Sequence, residues 1–263
     1  MSGGTVAFEY AEEGRGPAVL LLPGSFGTGA GWKLVQAHLG AGYRVVTTSL
    51  LGYGMTPDSR PNGNPTMVQQ TDVIDRIIER IGTVTHVVGH SFGGLAAIAH
   101  ALTGRRKPAS LLLVEANPLG LLRSTGDVEH HAMFTTMTDR YFAEFARGNP
   151  EAARNVIDFY GGPGTFDSLP PKVRSYVVAT TDVNVRDWSS GTPFEPSKDA
   201  LRSIDVPTVV VRGGSGHPAM LRIAERLSEF IPGSTLITLE GGSHFLPNSH
   251  PSDIAALIRQ LVH

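Results

Sequence analysis

The chain has 263 residues, of which 41% are hydrophobic and 17% are charged, and its formal net charge is −2. This length suits one compact domain with a modest insertion, and the apolar fraction is sufficient for a sizeable core. No run of Lys or Arg marks a nucleic-acid-binding surface, and the absence of Cys excludes disulfides, thiolate nucleophiles and Cys-ligated metals.

The first residues contain no basic stretch followed by an apolar run, so the sequence predicts no secretory signal. The apolar runs elsewhere are too short to span a bilayer. We therefore expect a cytoplasmic protein that engages neither membranes nor nucleic acids.

Short apolar runs recur along the chain and predict the strands of a mostly parallel sheet. Most of these runs lack polar alternation, which is typical of strands that are buried on both faces. The first run alternates and is expected to be an edge strand. The predicted strands cover residues 6–10, 18–22, 44–48, 86–88, 111–114, 208–211 and 235–239.

Apolar residues at helical spacing predict helices between these strands, over residues 65–81, 220–230 and 254–261. The segment of residues 118–200 differs, because helices are predicted near residues 129–147 and 150–160 and its only candidate strand lies near residues 176–179. We therefore predict an α/β core of residues 1–117 and 201–263 with a helical insertion of residues 118–200.

The sequence Gly-His-Ser-Phe-Gly at positions 89–93 matches the pattern G-x-S-x-G. It follows a predicted strand and precedes a helix predicted over residues 92–102. A serine at such a sharp turn points its hydroxyl out of the sheet edge, and flanking glycines leave room for the close backbone segments. The alternative is a glycine-rich turn in which Ser91 only caps the helix.

This turn resembles the nucleophile elbow of the α/β-hydrolase superfamily. Three further segments also resemble that family, and together with the elbow they occur along the chain in the family's order. They are LLLPGSFG at 20–27, which is similar to the oxyanion-loop strand, SLLGYGMT at 49–56, which is similar to D-x-x-G-x-G-x-S, and GGSHFLP at 241–247, which is similar to the loop of the catalytic histidine. The resemblance implies an α/β-hydrolase fold, namely a mostly parallel eight-stranded sheet flanked by helices. It also implies that residues 118–200 form a cap.

A serine hydroxyl needs a base to take its proton, and an imidazole does this well because it titrates near neutral pH. His244 follows the last predicted strand, at a sheet edge where open α/β folds bind ligands. It also matches the family's catalytic histidine, so we expect Ser91 to be the nucleophile and His244 the general base. The side chain of His90 is expected to point away from that of Ser91. No spacing typical of metal ligands occurs, and we expect no metal.

The carboxylate that orients the imidazole is expected at an unusual position. Most family members have it after the strand that corresponds to residues 208–211, but residues 212–217 here read Arg-Gly-Gly-Ser-Gly-His. Glu115 ends an apolar strand, as does the acid in several haloalkane dehalogenases and zearalenone-hydrolysing lactonases that this region resembles. We expect Glu115 to be the acid, with Asp187 and Asp205 as the other candidates. The alternative for Glu115 is a capping or pairing role beside the insertion.

The resemblance further implies that the backbone N–H groups of Ser25 and Phe92 form an oxyanion hole. Most relatives have His-Gly where this chain has Pro23-Gly24, and a backbone donor survives that change. Aromatic residues in or near the insertion indicate an apolar pocket for a medium-sized or aromatic substrate, to which we assign Phe26, His90 and Trp188. The alternative for each aromatic residue is simple packing of the insertion onto the core.

Taken together, these features predict a serine hydrolase that cleaves a carboxylic ester or lactone through an acyl-enzyme, with a small-molecule substrate and no cofactor. One alternative is a cofactor-free dioxygenase or a lyase of the same fold, in which His244 is the base. Another is a ligand-binding member with little turnover. A nucleotide-binding loop is disfavoured because Trp32 stands where G-x-G-x-x-G needs a glycine. The sequence predicts neither the substrate nor the oligomeric state.

Overall fold

The computed structural model of the chain describes residues 7–262, and a seven-stranded sheet forms its centre. The strands are β1 (Ala11–Glu13), β2 (Ala18–Leu22), β3 (Arg44–Thr47), β4 (Thr85–His90), β5 (Ser110–Val114), β6 (Thr208–Gly213) and β7 (Thr235–Leu239). Their order in the sheet is β1-β3-β2-β4-β5-β6-β7, and every neighbouring pair is parallel except β1 with β3. This is the mostly parallel α/β architecture that the sequence predicts.

The first edge of the sheet differs from the prediction, because the described residues form seven strands and not eight. Residue 6 of the predicted strand 6–10 lies outside the described residues, and residues 7–10 form no strand. The backbone there pairs with side chains instead of a neighbouring strand. The Glu9 N–H donates to Thr56 Oγ1 over 2.9 Å, and the Glu9 carbonyl accepts from Thr48 Oγ1 over 2.7 Å. The edge strand β1 therefore begins only at Ala11.

Helices flank the sheet, and those predicted from periodicity all occur, with their ends shifted by a few residues. A short 3-10 helix (Gly29–Trp32) precedes α1 (Lys33–Leu39), which is followed by α2 (Met67–Ile81), α3 (Phe92–Thr103), α4 (Gly120–Thr125), α5 (Val128–Ala146), α6 (Arg154–Gly161), α7 (Thr165–Ser168), α8 (Pro171–Ala179), α9 (Thr181–Gly191), α10 (Lys198–Arg202), α11 (Pro218–Phe230), α12 (Leu246–Ser249) and α13 (Pro251–Leu261). No described helix combines the length and the apolar character needed to cross a lipid bilayer.

Helices α4 to α10 all lie between β5 and β6, and we call them the insertion helices. The strand predicted near residues 176–179 is wrong, since these residues form the end of α8. Pro171 occupies the first helical turn, where its fixed φ favours a helix. Val177 is buried in a small cluster with Ile157 and Phe166 of the insertion, and this packing outweighs the strand preference of β-branched residues.

The core lies on both faces of the sheet. Successive side chains of β2 alternate between two clusters, so Leu20 packs on one face and Leu21 on the other. Each fully buried side chain of this kind stabilises the fold by about 1.5–3 kcal/mol. The cluster of Leu20 also contains Phe134 and Trp188 of the insertion helices, which therefore pack onto the same core as one face of the sheet.

Candidate active site

The carboxyl ends of three strands bring together the residues singled out in the sequence. Ser91 follows β4 and Glu115 follows β5, while His244 lies in the loop after β7. Strands β4 and β5 pair so that His90 stands opposite Val114. The Ser91 N–H donates to the Val114 carbonyl over 2.9 Å, and this bond places Ser91 next to the start of the Glu115 backbone.

The turn at Ser91 is sharp and strained. Ser91 has a φ of 53°, in the left-handed region that non-glycine residues rarely adopt, and α3 begins at the next residue. A Cβ on Gly93 would lie 2.4 Å from the Pro23 carbonyl oxygen, and a Cβ on Gly89 would lie 2.4 Å from the Gly93 carbonyl oxygen. Both positions therefore require glycine, as the elbow pattern predicts.

A continuous chain of hydrogen bonds joins the three polar side chains. His244 Nε2 lies 2.8 Å from Ser91 Oγ, and His244 Nδ1 lies 3.1 Å from Glu115 Oε2. All three residues are buried, with exposed fractions of 6% for Ser91, 3% for His244 and 2% for Glu115. Because a carboxylate only accepts, the Nδ1 tautomer fits, in which Nδ1–H donates to Glu115 and Nε2 accepts from the Ser91 hydroxyl.

Glu115 is held on both of its carboxylate oxygens. While Oε2 faces His244, Oε1 accepts from the Gly213 N–H over 2.7 Å. The Glu115 backbone also has a positive φ of 48°, and its N–H donates to the Val211 carbonyl over 2.8 Å. The last residue of β6 thus donates its backbone N–H to the carboxylate that follows β5.

The other two candidate acids do not reach the imidazole. Asp205 is exposed in the connection before β6. Asp187 is buried on α9, but its carboxylate accepts from Ser25, Tyr53 and Arg60. Of the three carboxylates, Glu115 is the one that hydrogen-bonds to His244.

The loop after β2 packs directly on the elbow. A Cβ on Gly24 would lie 3.0 Å from Ser91 Cβ and 3.1 Å from His90 Nδ1, so the backbone can approach this closely only as glycine. The Gly27 N–H donates to the Gly24 carbonyl over 3.0 Å and closes a tight turn with Ser25 and Phe26 at its centre. The two residues predicted as oxyanion donors, Ser25 and Phe92, line the same pocket as Ser91.

His90 supports the loop that carries the imidazole. Its Nε2 lies 2.8 Å from the His244 carbonyl oxygen, and the two rings are 5.0 Å apart. Burial, and secondly the nearby His244, lower the pKa of His90 to about 3. The ring is therefore neutral near pH 7, and its Nε2–H donates to the carbonyl.

A pocket opens over Ser91 and His244, between the sheet edge and the insertion helices. The three residues predicted to form it, Phe26, His90 and Trp188, all line it. Most of the remaining walls are apolar. They include Phe92, Leu95, Leu119, Val156, Ile157 and Phe245.

Two features of this pocket were not predicted from the sequence. Tyr160 of α6 stacks on the His244 ring, with centroids 4.0 Å apart and planes at 17°, and its hydroxyl accepts from Asn117 Nδ2 over 3.0 Å. The amide oxygens of Asn117 and Asn184 are buried in the pocket wall and have no hydrogen-bond partner among residues 7–262. Periodicity indicates that α6 has a buried face but not which residue that face contacts. The position of Asn117, two residues after Glu115, is the one signal that pointed to the pocket.

Within residues 7–262, no three His, Asp or Glu side chains converge in a way that could hold a metal ion. The groups that do converge are a hydroxyl, an imidazole and a carboxylate, all shielded from water. Such a set can move a proton from an alcohol to an imidazole and stabilise the resulting cation.

Comparison with known proteins gives consistent results. The sequence model of a family described as "Alpha/beta hydrolase family" matches residues 19–257. The chain is 23% identical to a pimeloyl-[acyl-carrier protein] methyl ester esterase of Aliivibrio fischeri (strain MJ11), over 97% of each chain. Its structure is similar to that of Est816, described as an N-acyl homoserine lactone degrading enzyme, with a TM-score of 0.79, 19% identity and 99% of each chain covered. A hydrolase from Pseudomonas aeruginosa PA01 is similar too, with a TM-score of 0.78, 18% identity and 99% of each chain covered. At these identities, the likeness to solved structures shows the fold alone.

Proposed function

The chain belongs to the alpha/beta hydrolase family, and we propose that it is a serine hydrolase that cleaves a carboxylic ester or lactone. The observation on which this depends is that one imidazole lies 2.8 Å from the Ser91 hydroxyl and 3.1 Å from the Glu115 carboxylate. In this proposal Ser91 is the nucleophile, His244 the general base and Glu115 the acid that fixes the tautomer of His244.

In the first half of the reaction, Ser91 Oγ forms a bond to the ester carbonyl carbon while its proton moves to His244 Nε2. The carbonyl electron pair moves to the oxygen, and the backbone N–H groups of Ser25 and Phe92 hold the resulting oxyanion. The bond to the alcohol oxygen then breaks, and His244 returns the proton to that oxygen. An acyl-enzyme remains, and with a lactone the alcohol stays attached to the acyl group.

In the second half, water takes the place of the serine hydroxyl. His244 accepts a proton from water while the water oxygen attacks the acyl carbon, and collapse of the second tetrahedral intermediate returns the proton to Ser91 Oγ. Glu115 accepts from Nδ1–H throughout, so the imidazolium is stabilised each time it forms.

The pocket supports a substrate that is mainly apolar and of modest size. Its walls are largely aliphatic and aromatic, and the unpartnered amide oxygens of Asn117 and Asn184 favour a substrate with a hydrogen-bond donor. We propose that residues 118–200 form a cap over a core of residues 1–117 and 201–263. Two proteins to which the chain is similar are described as a methyl ester esterase and an N-acyl homoserine lactone degrading enzyme, and these descriptions favour an ester or a lactone as the substrate.

A panel of short p-nitrophenyl esters and lactones tests this proposal, with Ser91→Ala beside the wild type. We expect hydrolysis by the wild type, labelling of Ser91 by a fluorophosphonate, and loss of both in the variant. Ser189→Ala is the matched control, because Ser189 is an exposed serine on α9. Substantial hydrolysis by Ser91→Ala would refute the assignment. Oxygen uptake with a quinolone, without ester turnover, would favour the non-hydrolytic alternative instead.

A further inference from the structure

The carboxylate of Asp187 lies at the centre of a buried hydrogen-bond network that the proposed reaction does not use. Asp187 is 1% exposed and belongs to α9. Its Oδ2 accepts from Ser25 Oγ over 2.6 Å and from Tyr53 Oη over 2.7 Å, and its Oδ1 accepts from Arg60 Nη1 over 2.6 Å. One insertion helix is thereby linked to the loops after β2 and β3.

The charge of Asp187 is compensated inside the protein. The Arg60 side chain is completely buried and also binds Asp58 over 2.9 Å, and Asp58 in turn binds Arg186 over 2.8 Å. Burial raises the pKa of Asp187 to about 6, against the opposing effect of Arg60, Ser25 and Tyr53, so the carboxyl is mainly ionised at pH 7. Buried ion pairs often stabilise a fold less than apolar side chains of the same volume would. A gain in folding stability is therefore a weak explanation for this network, and the conformation that it imposes on the neighbouring backbone is a better one.

That geometry concerns the tight turn of residues 24–27. Ser25 and Phe26 are its two central residues, and Phe26 has a φ of 60°. A non-glycine residue held at positive φ is strained by about 1–3 kcal/mol and keeps this conformation only when its surroundings impose it. Asp187 binds the Ser25 side chain directly. Tyr53, the second residue that donates to Asp187, packs edge-on against the Phe26 ring with centroids 6.5 Å apart.

We propose that Asp187 is a positioning residue, which holds the turn of residues 24–27 so that the Ser25 N–H faces the oxyanion. The proposal rests on the proposed function, because Ser25 is the oxyanion donor there. Asp187 itself does not touch the reacting atoms. Through it, an insertion helix determines the shape of the oxyanion hole.

The variant Asp187→Asn tests this with little change in side-chain volume. Asparagine has one acceptor oxygen where aspartate has two. Its N–H₂ group must face either Arg60, where two donors repel each other, or the two hydroxyls, where Ser25 and Tyr53 lose their carboxylate acceptor, and in both cases the turn is held less firmly. Loss of an oxyanion donor lowers kcat by about 10²–10³-fold, so a displaced donor should lower kcat by about 10- to 100-fold. KM should change little, because the apolar walls of the pocket remain.

Inhibitor binding separates positioning from general loosening of the site. A trifluoromethyl ketone forms a tetrahedral adduct with a serine, whereas the matching secondary alcohol does not. We expect Asp187→Asn to lower the affinity for the ketone about 10-fold or more and to leave the affinity for the alcohol as it is in the wild type. A parallel loss of affinity for both compounds, or an unchanged kcat, would overturn the proposal.

Two further comparisons complete the experiment. Asp182→Asn removes an exposed carboxylate from the same helix and should leave kcat unchanged. Adding Ser25→Ala to Asp187→Asn should lower kcat little further, since both changes break the same contact, and full additivity would count against the proposal.

If Asp187→Asn does not fold, the double variant Ser25→Ala/Tyr53→Phe removes both anchors of the turn, and an unchanged kcat there would overturn the proposal. Inactive wild-type protein that fails to label at Ser91 would instead refute the proposed function.

Discussion

At the scale of single residues, Glu115 combines a hydrogen bond of its backbone with two of its side chain. Its backbone N–H still bonds to Val211 of the neighbouring strand, while its carboxylate reaches both His244 and the Gly213 N–H. The missing acid after β6 and the Glu at the end of β5 were both visible in the sequence. The donor from Gly213 was not, because a backbone N–H is present at every non-proline residue and only the fold decides which one is left to bind a side chain.

Replacement of Glu115 by Gln should lower kcat by orders of magnitude with little change in KM. Gln offers one acceptor oxygen where two donors converge, so either Nδ1–H of His244 or the Gly213 N–H would face an N–H₂ group. Steady-state kinetics on an ester that the wild type hydrolyses measures this. Asp205→Asn is the matched control because Asp205 is exposed, and a damaging effect of that change alone would show that the acid is misassigned.

His90 leads to a prediction about acid stability. Its pKa is 6.5 in an unfolded chain and about 3 in the folded protein, so between these values the unfolded chain binds more protons. Above pH 6.5 the imidazole is neutral in both states, and the free energy of unfolding does not depend on its titration. As the pH falls from 6.5 toward 3, protonation of the unfolded chain lowers the free energy of unfolding by about 1.4 kcal/mol per pH unit. His90→Gln should therefore lose less stability than the wild type between pH 7 and pH 5 in urea unfolding. Equal losses in the two proteins would contradict the pKa shift.

At the scale of elements, two insertion helices contact the site at different points. Helix α6 places Tyr160 on the His244 ring, and α9 places Asp187 against Ser25. Hydrophobic spacing was enough to predict the long helices, since a buried face repeats every three or four residues. It could not predict α8 from its short β-branched run, nor the contacts of α6 and α9, because periodicity contains no information about which surface a helix will meet.

The stacking of Tyr160 on His244 can be tested with two substitutions that both remove the hydroxyl, one of which keeps the aromatic ring. Tyr160→Phe keeps the stack and loses the hydroxyl that accepts from Asn117, so kcat should stay within about threefold of the wild type. Tyr160→Leu removes the aromatic face, whose contribution is about 0.5–1.5 kcal/mol, so kcat should fall by about 2- to 13-fold as the imidazole gains freedom. Equal kinetics for the two variants would mean that the stack does not restrain His244.

At the scale of the whole molecule, backbone strain is concentrated in one place. Among the described residues, the non-glycine residues with positive φ are Phe26, Ser91 and Glu115, and all three lie at the site. The sequence predicted the turn at Ser91 through its glycines. It gave no sign of strain at Phe26 or Glu115, because neither residue type favours such a conformation and only packing imposes it.

This strain should appear in the stability of two inactive variants. Ser91→Ala and Ser91→Gly both remove the hydroxyl, but only glycine adopts the φ of 53° without steric cost. We expect the glycine variant to be more stable than the alanine variant by about 1 kcal/mol, after allowance for the greater chain entropy of glycine. Urea or thermal unfolding measures the difference, and an alanine variant of equal or greater stability would indicate a relaxed backbone at this turn.

The parallel pairing of β4 with β5 also fixes when the three polar side chains can meet as the chain leaves the ribosome. Ser91 and Glu115 come from adjacent strands and are set by a single register, so they become neighbours as soon as these strands pair. His244 follows β7, which is the last of the described strands along the chain and lies at the far edge of the sheet. In the proposed reaction, a nascent chain therefore has its nucleophile and its acid in place before its base, which arrives only when β7 has joined the sheet.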